Sequence, residues 1–323
     1  MNKISSMQIS VVLAMHNGQT TIAKTLNSLV SQSYKFNELI IVNDASNDNS
    51  IKITKKVLQS TKIKYIIINH TKSLGLASSF NDGILRAKGS HIVTIHQDVI
   101  CQKDALKKLV APFTSKNTQK IVASYHTVLH PYSEWRKYNF WGKMLFAKYV
   151  GKKLSGLNAM FDCFDKEALF KVGLFDSVHY KRSGEDSDMV FKLKKIGRVV
   201  PSNATILHLH NLDPNYRLSN VIHKHAQQAE TQGVLFRNQG TSNLWQFIKS
   251  FHRELLVTSL FLPPFRLMGI SLIGVYSVYY TWPLFFEKKF DPRIFLLPFI
   301  NISLLFISMV YSIKGFVSNK QEL

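Results

Sequence analysis

Through residue 125 the chain alternates short apolar, β-branched runs with longer stretches in which apolar residues return at helical spacing. That alternation marks an α/β sheet built from strand, helix, strand units. Strands are expected near Ile9–Met15, Glu38–Val42, Tyr65–Asn69, His91–His96 and Ile121–Tyr125, and helices over Thr20–Gln32, Asn49–Ser60, Leu76–Ala87 and Lys103–Phe113. Each helix is bounded by Gly, Asn, Asp or Pro, residues that cap or break helices. Crossovers of this length make the strands mostly parallel, and ligands of such sheets sit at the carboxyl ends of the strands. Asp44 and Asp98 both fall there.

The rhythm then changes. Residues 126–157 interleave aromatic and basic side chains, among them Trp135, Arg136, Lys137, Tyr138, Trp141, Lys148 and Tyr149, and read as an insertion facing an acceptor or a membrane. Such interleaving also suits single-stranded nucleic acid, but no nucleic-acid motif accompanies it and no nucleic-acid partner is expected. Leu267–Phe286 and Ile294–Ile313 are each uncharged for 20 residues, enough as helices to cross roughly 30 Å of hydrocarbon. With the charged turn Glu287-Lys288-Lys289-Phe290-Asp291-Pro292-Arg293 between them they predict a membrane hairpin. Pro283, Pro298, Asn301 and several serines dilute the runs and leave open buried helices of a soluble domain. Trp245–Phe265 reads as an amphipathic lead-in along the membrane surface, or equally as a helix packed on the catalytic domain. The expected division is a catalytic domain over 1–240, a juxtamembrane segment over 241–266 and a hairpin with a short tail over 267–323. Lys249, Arg253, Arg266, Lys314 and Lys320 outweigh Lys288, Lys289 and Arg293 narrowly, which puts the catalytic domain on the cytoplasmic face.

Composition narrows the partners. The 323 residues hold 41 Lys and Arg against 20 Asp and Glu, and the formal net charge of +21 favours nucleotide diphosphates, lipid phosphates or an anionic membrane. Cys101 and Cys163 form neither a disulfide framework nor a metal-ligand pattern and read as buried thiols in a reducing compartment. Met1 to Gln8 is polar and the apolar run Ile9–Met15 is short, so no cleavable leader is expected.

Several residue clusters carry candidate chemistry. Asp44 opens the turn Asn43-Asp44-Ala45-Ser46-Asn47-Asp48, where its carboxylate either accepts hydrogen bonds from a nucleobase or ribose or caps the helix near Asn49. In His96-Gln97-Asp98 the strand-end Asp98 can bind a divalent cation bridging a diphosphate, or serve as a turn former. His208-Leu209-His210 lies in a β-like run, which turns the two imidazoles to opposite sides and admits one of them to the site. Gly184-Glu185-Asp186-Ser187-Asp188 opens a helical run, where the carboxylates offset the helix dipole and can also take a proton.

Taken in order, Ile9-Ser10-Val11-Val12-Leu13-Ala14-Met15-His16-Asn17, Leu26-Asn27-Ser28-Leu29-Val30-Ser31-Gln32-Ser33-Tyr34 and Glu38 to Asp48 resemble the start of family 2 glycosyltransferases. Asn69 to Ala77, Asn81-Asp82-Gly83-Ile84, Ala87-Lys88-Gly89, the strand into Asp98 and Gly184 to Asp188 continue the resemblance over roughly residues 8–212. It implies a GT-A fold, a nucleotide-sugar donor (UDP-, GDP- or dTDP-linked), a divalent cation (Mn²⁺ or Mg²⁺) and inversion at the anomeric carbon. Carried over, Asp186 with Glu185 is catalytic, Asp186 being the base; Asp44, His16, Asn17, Asn81, Gln97 and Asp98 face the donor; and Asp98, His96 and one of His210 or His208 support the metal. His96 stands where aspartate is commoner and Asn43 where a second aspartate is common, which puts metal dependence in doubt. Lys181 or Arg182 is a candidate for offsetting leaving-group charge.

The expected activity is transfer of a sugar to a hydroxyl of a lipid-linked or cell-envelope glycan by a membrane-anchored enzyme. A processive synthase fits less well, because no Gln-x-x-Arg-Trp motif is present. Transfer to a polyprenyl phosphate needs no base and stays open, as does a catalytically idle scaffold that lost its metal site at His96.

Overall fold

The structure, a computed structural model, describes residues 7–114, 119–210, 215–287 and 290–323. Most of the polar Met1–Gln8 stretch and two lysines of the expected charged turn, Lys288 and Lys289, lie outside the described residues.

Strand β1 (Ile9–Met15) is buried at every position, which is why it reads as an apolar run rather than an alternation. It leads through α1 (Ile22–Val30), β2 (Glu38–Asn43), α2 (Ser50–Gln59), β3 (Tyr65–Asn69) and α3 (Leu76–Arg86) to β4 (His91–His96). Helix α1 buries Ile22, Thr25, Leu26 and Leu29, one face at helical spacing. β1 pairs in parallel with β2 and β4, and β2 with β3, so the expected parallel sheet holds through β4. The chain continues through β5 (Val99–Cys101), α4 (Ala105–Val110) and β6 (Ile121–Leu129). Helix α4 is shorter than Lys103–Phe113; it tightens to a 3₁₀ turn at Ala111–Thr114, where Pro112 supplies no backbone donor.

After α5 (Tyr132–Trp135) and α6 (Phe140–Phe146) come β7 (Lys153–Ser155), β8 (Phe161–Asp165), α7 (Lys166–Lys171), α8 (Glu185–Lys194) and β9 (Arg198–His208). The sheet order is β3-β2-β1-β4-β8-β6-β9-β5, with β7 on β6. β8 enters antiparallel to both β4 and β6, so the strand expected at Ile121–Tyr125 is not the neighbour of β4. That strand also continues to Leu129, taking its last residues from the stretch read as an irregular insertion. Two apolar clusters cover the two faces, one around Leu13, Leu26, Leu39 and Phe161, the other around Val12, Phe80, Phe164 and Met189. Cys101 and Cys163 are buried free thiols, as expected.

The chain forms two compact units, Met1–His130 with Lys152–Asn211, and Pro131–Gly151 with Leu212–Leu323. The second is helical: besides α5 and α6 it holds α9 (Leu218–Gln239), α10 (Leu244–Ser259), α11 (Arg266–Tyr279) and α12 (Leu297–Ser318). Trp135, Met144, Val221, Leu297 and Leu304 make its core. With the 3₁₀ turn before it, α12 gives a continuous 27-residue helix, Pro292–Ser318, whose most apolar 18-residue stretch has a mean hydropathy of 2.2, long and apolar enough to cross a membrane. The run Leu267–Phe286 is not one helix: α11 stops at Tyr279 and Trp282–Phe286 is a 3₁₀ turn. Pro283 disfavours helical backbone at the residue before it. α11 reaches spanning length only together with α10, across a 104° bend. Among the described residues there is therefore one straight candidate span where two were expected.

Helices α9 and α12 touch at two glycines. A Cβ on Gly315 would collide with the carbonyl oxygen of Glu230, and one on Gly233 with that of Ser312. Gly315→Ala is expected to destabilise the helical unit by about 1–3 kcal/mol, the usual cost of overpacking. Thermal unfolding in detergent checks this; an unchanged midpoint would mean that the two helices separate without cost.

Candidate active site

The carboxyl ends of β1, β2 and β4 converge on a cleft of ≈ 150 Å³ lined by His16, Asp44, Ser79, His96, Gln97 and Asp98. Three of these are committed to holding the strand ends together. The Gln97 side chain accepts from His16 N (2.8 Å) and donates to His16 O (2.7 Å), tying β4 to β1. His16 Nδ1 lies 2.6 Å from the carbonyl oxygen of Asp44. Asp44 itself is buried, and its carboxylate accepts from His70 Nδ1 (2.7 Å), Ser73 Oγ (2.7 Å), Leu74 N (2.7 Å) and Gly75 N (3.0 Å). It thus gathers the loop before α3 instead of capping α2. Burial pushes its carboxyl up, but these hydrogen bonds outweigh burial and hold it below the usual carboxylate range. His70 passes the contact on, its Nε2 lying 2.8 Å from Asp82 Oδ2.

Two other expected donor residues act on the backbone. Asn17 accepts from Asn47 N (2.9 Å), joining the loops after β1 and β2. Asn81 makes a two-way amide pair with Phe175, donating to its carbonyl (2.8 Å) and accepting from its N–H (3.0 Å).

Asp98 and His208 meet across the sheet, with Oδ2 to Nε2 at 3.1 Å, and the Asp98 carbonyl accepts from Leu209 N at 2.9 Å. The Asp98 Oδ1 and His208 Nδ1 atoms are buried without a hydrogen-bond partner in the protein. Burial raises the Asp98 carboxyl, yet the charge and hydrogen bond of His208, with His96 and His210, hold it well below the ordinary range. His96 is driven down to about 4 by burial and is a neutral imidazole; its ring packs 5.8 Å from that of Phe80.

The expectation that His208 and His210 face opposite sides fails. β9 ends at His208, and His210 has φ +42° in the left-handed region, so strand alternation no longer applies. The two rings lie 3.8 Å apart between centroids, and His210 stacks at 5.5 Å on His130. Burial, then the charge of His208, pushes His130 down to about 4.

Helix α8 brings the acidic motif. Gly184 caps it at φ +97°, a conformation other residues rarely adopt, and Glu185, Asp186 and Asp188 fill its first turn, where negative charge is stabilised by the helix dipole. Glu185 and Asp188 are buried, and Asp188 pairs with Lys192 at 2.6 Å. Asp186 is half-buried and has no ion-pair partner among the described residues; its carboxylate accepts from Ser187 N (2.7 Å). Burial raises its carboxyl above the usual value, and the Asp162 carboxylate adds to the rise. Lys181 and Arg182 are exposed.

Sequence reasoning missed Asp162 and its partner His126, both fully buried, with Oδ1 to Nδ1 at 2.9 Å. Asp162 also accepts from Asn158 N (2.8 Å) and Ala159 N (2.7 Å). Its only signal is a charged residue inside the apolar run Phe161-Asp162-Cys163-Phe164, which demands a partner. His70 and Asp82 were quoted only as parts of motifs.

The sequence profile described as Glycosyl transferase family 2 matches residues 10–178. The chain is 24% identical over 182 residues to the poly-beta-1,6-N-acetyl-D-glucosamine synthase of Staphylococcus epidermidis, covering 52% of this chain and 42% of that protein. The synthase of Staphylococcus aureus (strain COL) is 23% identical over the same shares, so the chain spans less than half the length of the curated relatives it matches. The solved mannosyltransferase PcManGT from Pyrobaculum calidifontis, in complex with GDP-Man and Mn²⁺, superposes with a TM-score of 0.61 at 14% identity, over 95% of this chain and 87% of that one. TarS 1-349 of S. aureus in complex with UDP-GlcNAc gives 0.50 at 15% identity, over 96% and 92%.

The raised Asp186 carboxyl makes a stability prediction. Its charged form is disfavoured in the folded state, so the protein gives up stability as pH rises from the ordinary carboxyl range through the folded-state value. Asp186→Asn is therefore expected to be more stable than wild type at pH 7, with the difference vanishing as pH falls to about 4. Denaturant unfolding at both pH values checks this; an Asn variant less stable at pH 7 would show that the carboxylate is a needed helix cap.

Proposed function

Because the chain belongs to glycosyl transferase family 2, with the GT-A fold and glycosyltransferase activity of that family, we propose that it moves a sugar from a nucleotide-diphosphate donor to a hydroxyl of a lipid-linked or cell-envelope glycan. In this reading it inverts the anomeric carbon and works from a membrane anchor, with its catalytic unit on the cytoplasmic face. The observation that carries the mechanism is Asp186, a half-buried carboxyl raised above its usual value at the start of α8. A base is most effective when its pKa lies nearer the working pH, and it is worth about 10²- to 10⁴-fold in rate. Asp186 would take the acceptor hydroxyl proton as the oxygen attacks the anomeric carbon and the nucleoside diphosphate leaves. The relatives support the substrate class: PcManGT is solved with GDP-Man and TarS with UDP-GlcNAc, and the curated relatives are named as synthases of a GlcNAc polymer.

Asp44 serves the donor pocket by shaping the loop 70–75 around its own carboxylate. Among the described residues no three His, Cys, Asp or Glu side chains are grouped to hold a metal by themselves. Asp98 and His208 would nevertheless be the residues to hold a divalent cation, since Asp98 Oδ1 is buried with no protein partner. Such a cation, when bound with the donor, supplies positive charge to the leaving diphosphate. An oxygen and an imidazole nitrogen together suit Mn²⁺ better than Mg²⁺, and PcManGT is solved with Mn²⁺.

Two measurements test the reading. Asp186→Asn should bind the nucleotide sugar as wild type does while single-turnover transfer falls at least about 10²-fold; near-normal transfer would reject the base and favour an anionic phosphate acceptor. Asp98→Ala should abolish the dependence of donor binding on Mn²⁺ in calorimetry. For the anchor, if Pro292–Ser318 spans a membrane, the protein in cell membranes should resist alkaline carbonate and be released by detergent; release by carbonate alone would reject a spanning helix.

A further inference from the structure

The second unit gathers basic and imidazole side chains around one tyrosine, and Arg253 among them has no ion-pair partner among the described residues. Tyr280, at the end of α11, is the centre. Lys148 Nζ sits 5.1 Å from its ring centroid and the Arg253 guanidinium 5.7 Å, while an Arg253 terminal nitrogen donates to its hydroxyl at 3.3 Å. The His225 ring lies 5.9 Å from that of Tyr280. His225 is 2% exposed and both its ring nitrogens lack a hydrogen-bond partner; the buried Arg253 Nε also lacks one. No carboxylate forms an ion pair with Arg253 among the described residues. The charge of the adjacent Glu254 acts on Arg253, while its carboxylate accepts from Ser308 (2.9 Å) and Ser312 (2.6 Å) on α12 and forms no ion pair with the guanidinium.

Leaving a guanidinium nitrogen and a whole imidazole desolvated and unbonded costs free energy that a bound anion would recover. The donors are the right ones for phosphate: a planar guanidinium, an ammonium and an imidazole N–H, with the tyrosine hydroxyl beside them. Lys148, Tyr149 and Arg253 are half-buried, so the cluster reaches the surface through them, while His225 and Tyr280 are buried. The place also fits. Arg253, with Lys249 four residues before it, makes the centre of α10 unsuited to hydrocarbon and suited to a membrane interface, where lipid phosphates lie.

We propose that Lys148, His225, Arg253 and Tyr280 form a binding site for a phosphate group on the second unit, separate from the donor cleft of the first. A lipid phosphate head group and free phosphate share this chemistry. The proposal does not depend on Asp186 being a base or on the identity of the donor sugar.

The test uses the full-length protein in neutral detergent micelles and follows its unfolding midpoint. One titration adds phosphatidic acid, with phosphatidylcholine as the neutral control; the other adds inorganic phosphate, with chloride matching ionic strength. Phosphate-bearing ligand should raise the midpoint above its control. Arg253→Gln should weaken the apparent affinity at least about tenfold, the scale of a charged hydrogen bond, and Arg253→Lys should recover part of it. If Arg253→Gln does not fold, Lys148→Met on the rim carries the same expectation. Lys249→Gln, an exposed charge removed from the same helix, should titrate as wild type. Stabilisation by phosphatidic acid alone identifies a lipid head group, and equal stabilisation by inorganic phosphate identifies the free ion. No stabilisation by either, or equal weakening by Lys249→Gln, would overturn the site.

Discussion

Carboxylates buried at the edge of an apolar sheet need donors, and in this protein histidines supply them. Asp44 has His70, Asp98 has His208 and Asp162 has His126, at 2.7, 3.1 and 2.9 Å. An uncompensated charge in such a place costs several kcal/mol, so the pairs dictate where their strands end and how their loops lie. The Asp98 pair joins the ends of β4 and β9, which are far apart in sequence. The Asp44 pair folds the loop before α3 onto β2. Asp186 stands outside this scheme, with no ion-pair partner among the described residues, and burial, with the Asp162 carboxylate, raises its carboxyl.

The same constraint gives a reason for His96. An aspartate there would add another carboxylate beside Asp98 and Asp162 in a site from which water is largely excluded. A neutral imidazole keeps the cleft filled against Phe80 without adding charge. The departure from the commoner aspartate therefore reduces repulsion within the site.

In the helical unit the residues that diluted the apolar runs turn out to be its connectors. Asn301 of α12 donates to the Ser277 carbonyl (2.7 Å) and to Thr281 Oγ1 (3.1 Å), and Ser308 and Ser312 donate to Glu254 of α10. Polar side chains of this kind pair across helices in apolar surroundings, just as glycines let helix backbones approach. Serines and asparagine in α12 are thus compatible with a helix whose most apolar 18-residue stretch has a mean hydropathy of 2.2.

Local pattern was enough for the first half of the fold. Strands at Tyr65–Asn69 and His91–His96 and the three helices before β4 were legible because their spacing and their bounding residues act within a few positions of one another. The strand-end carboxylates and the acidic opening of α8 were legible for the same reason, together with the family resemblance they carry. Only tertiary structure decided that β8 inserts antiparallel between β4 and β6, that β9 stops at His208 so that two imidazoles share one side, and that Asp162 is buried against His126. Tertiary structure also cut the run Leu267–Phe286 short and placed Arg253 against Tyr280. Each of these depends on residues distant in the chain meeting in a space where water is scarce. The energy of a buried charge or an inserted strand is set by those neighbours, which the sequence pattern around the residue does not contain.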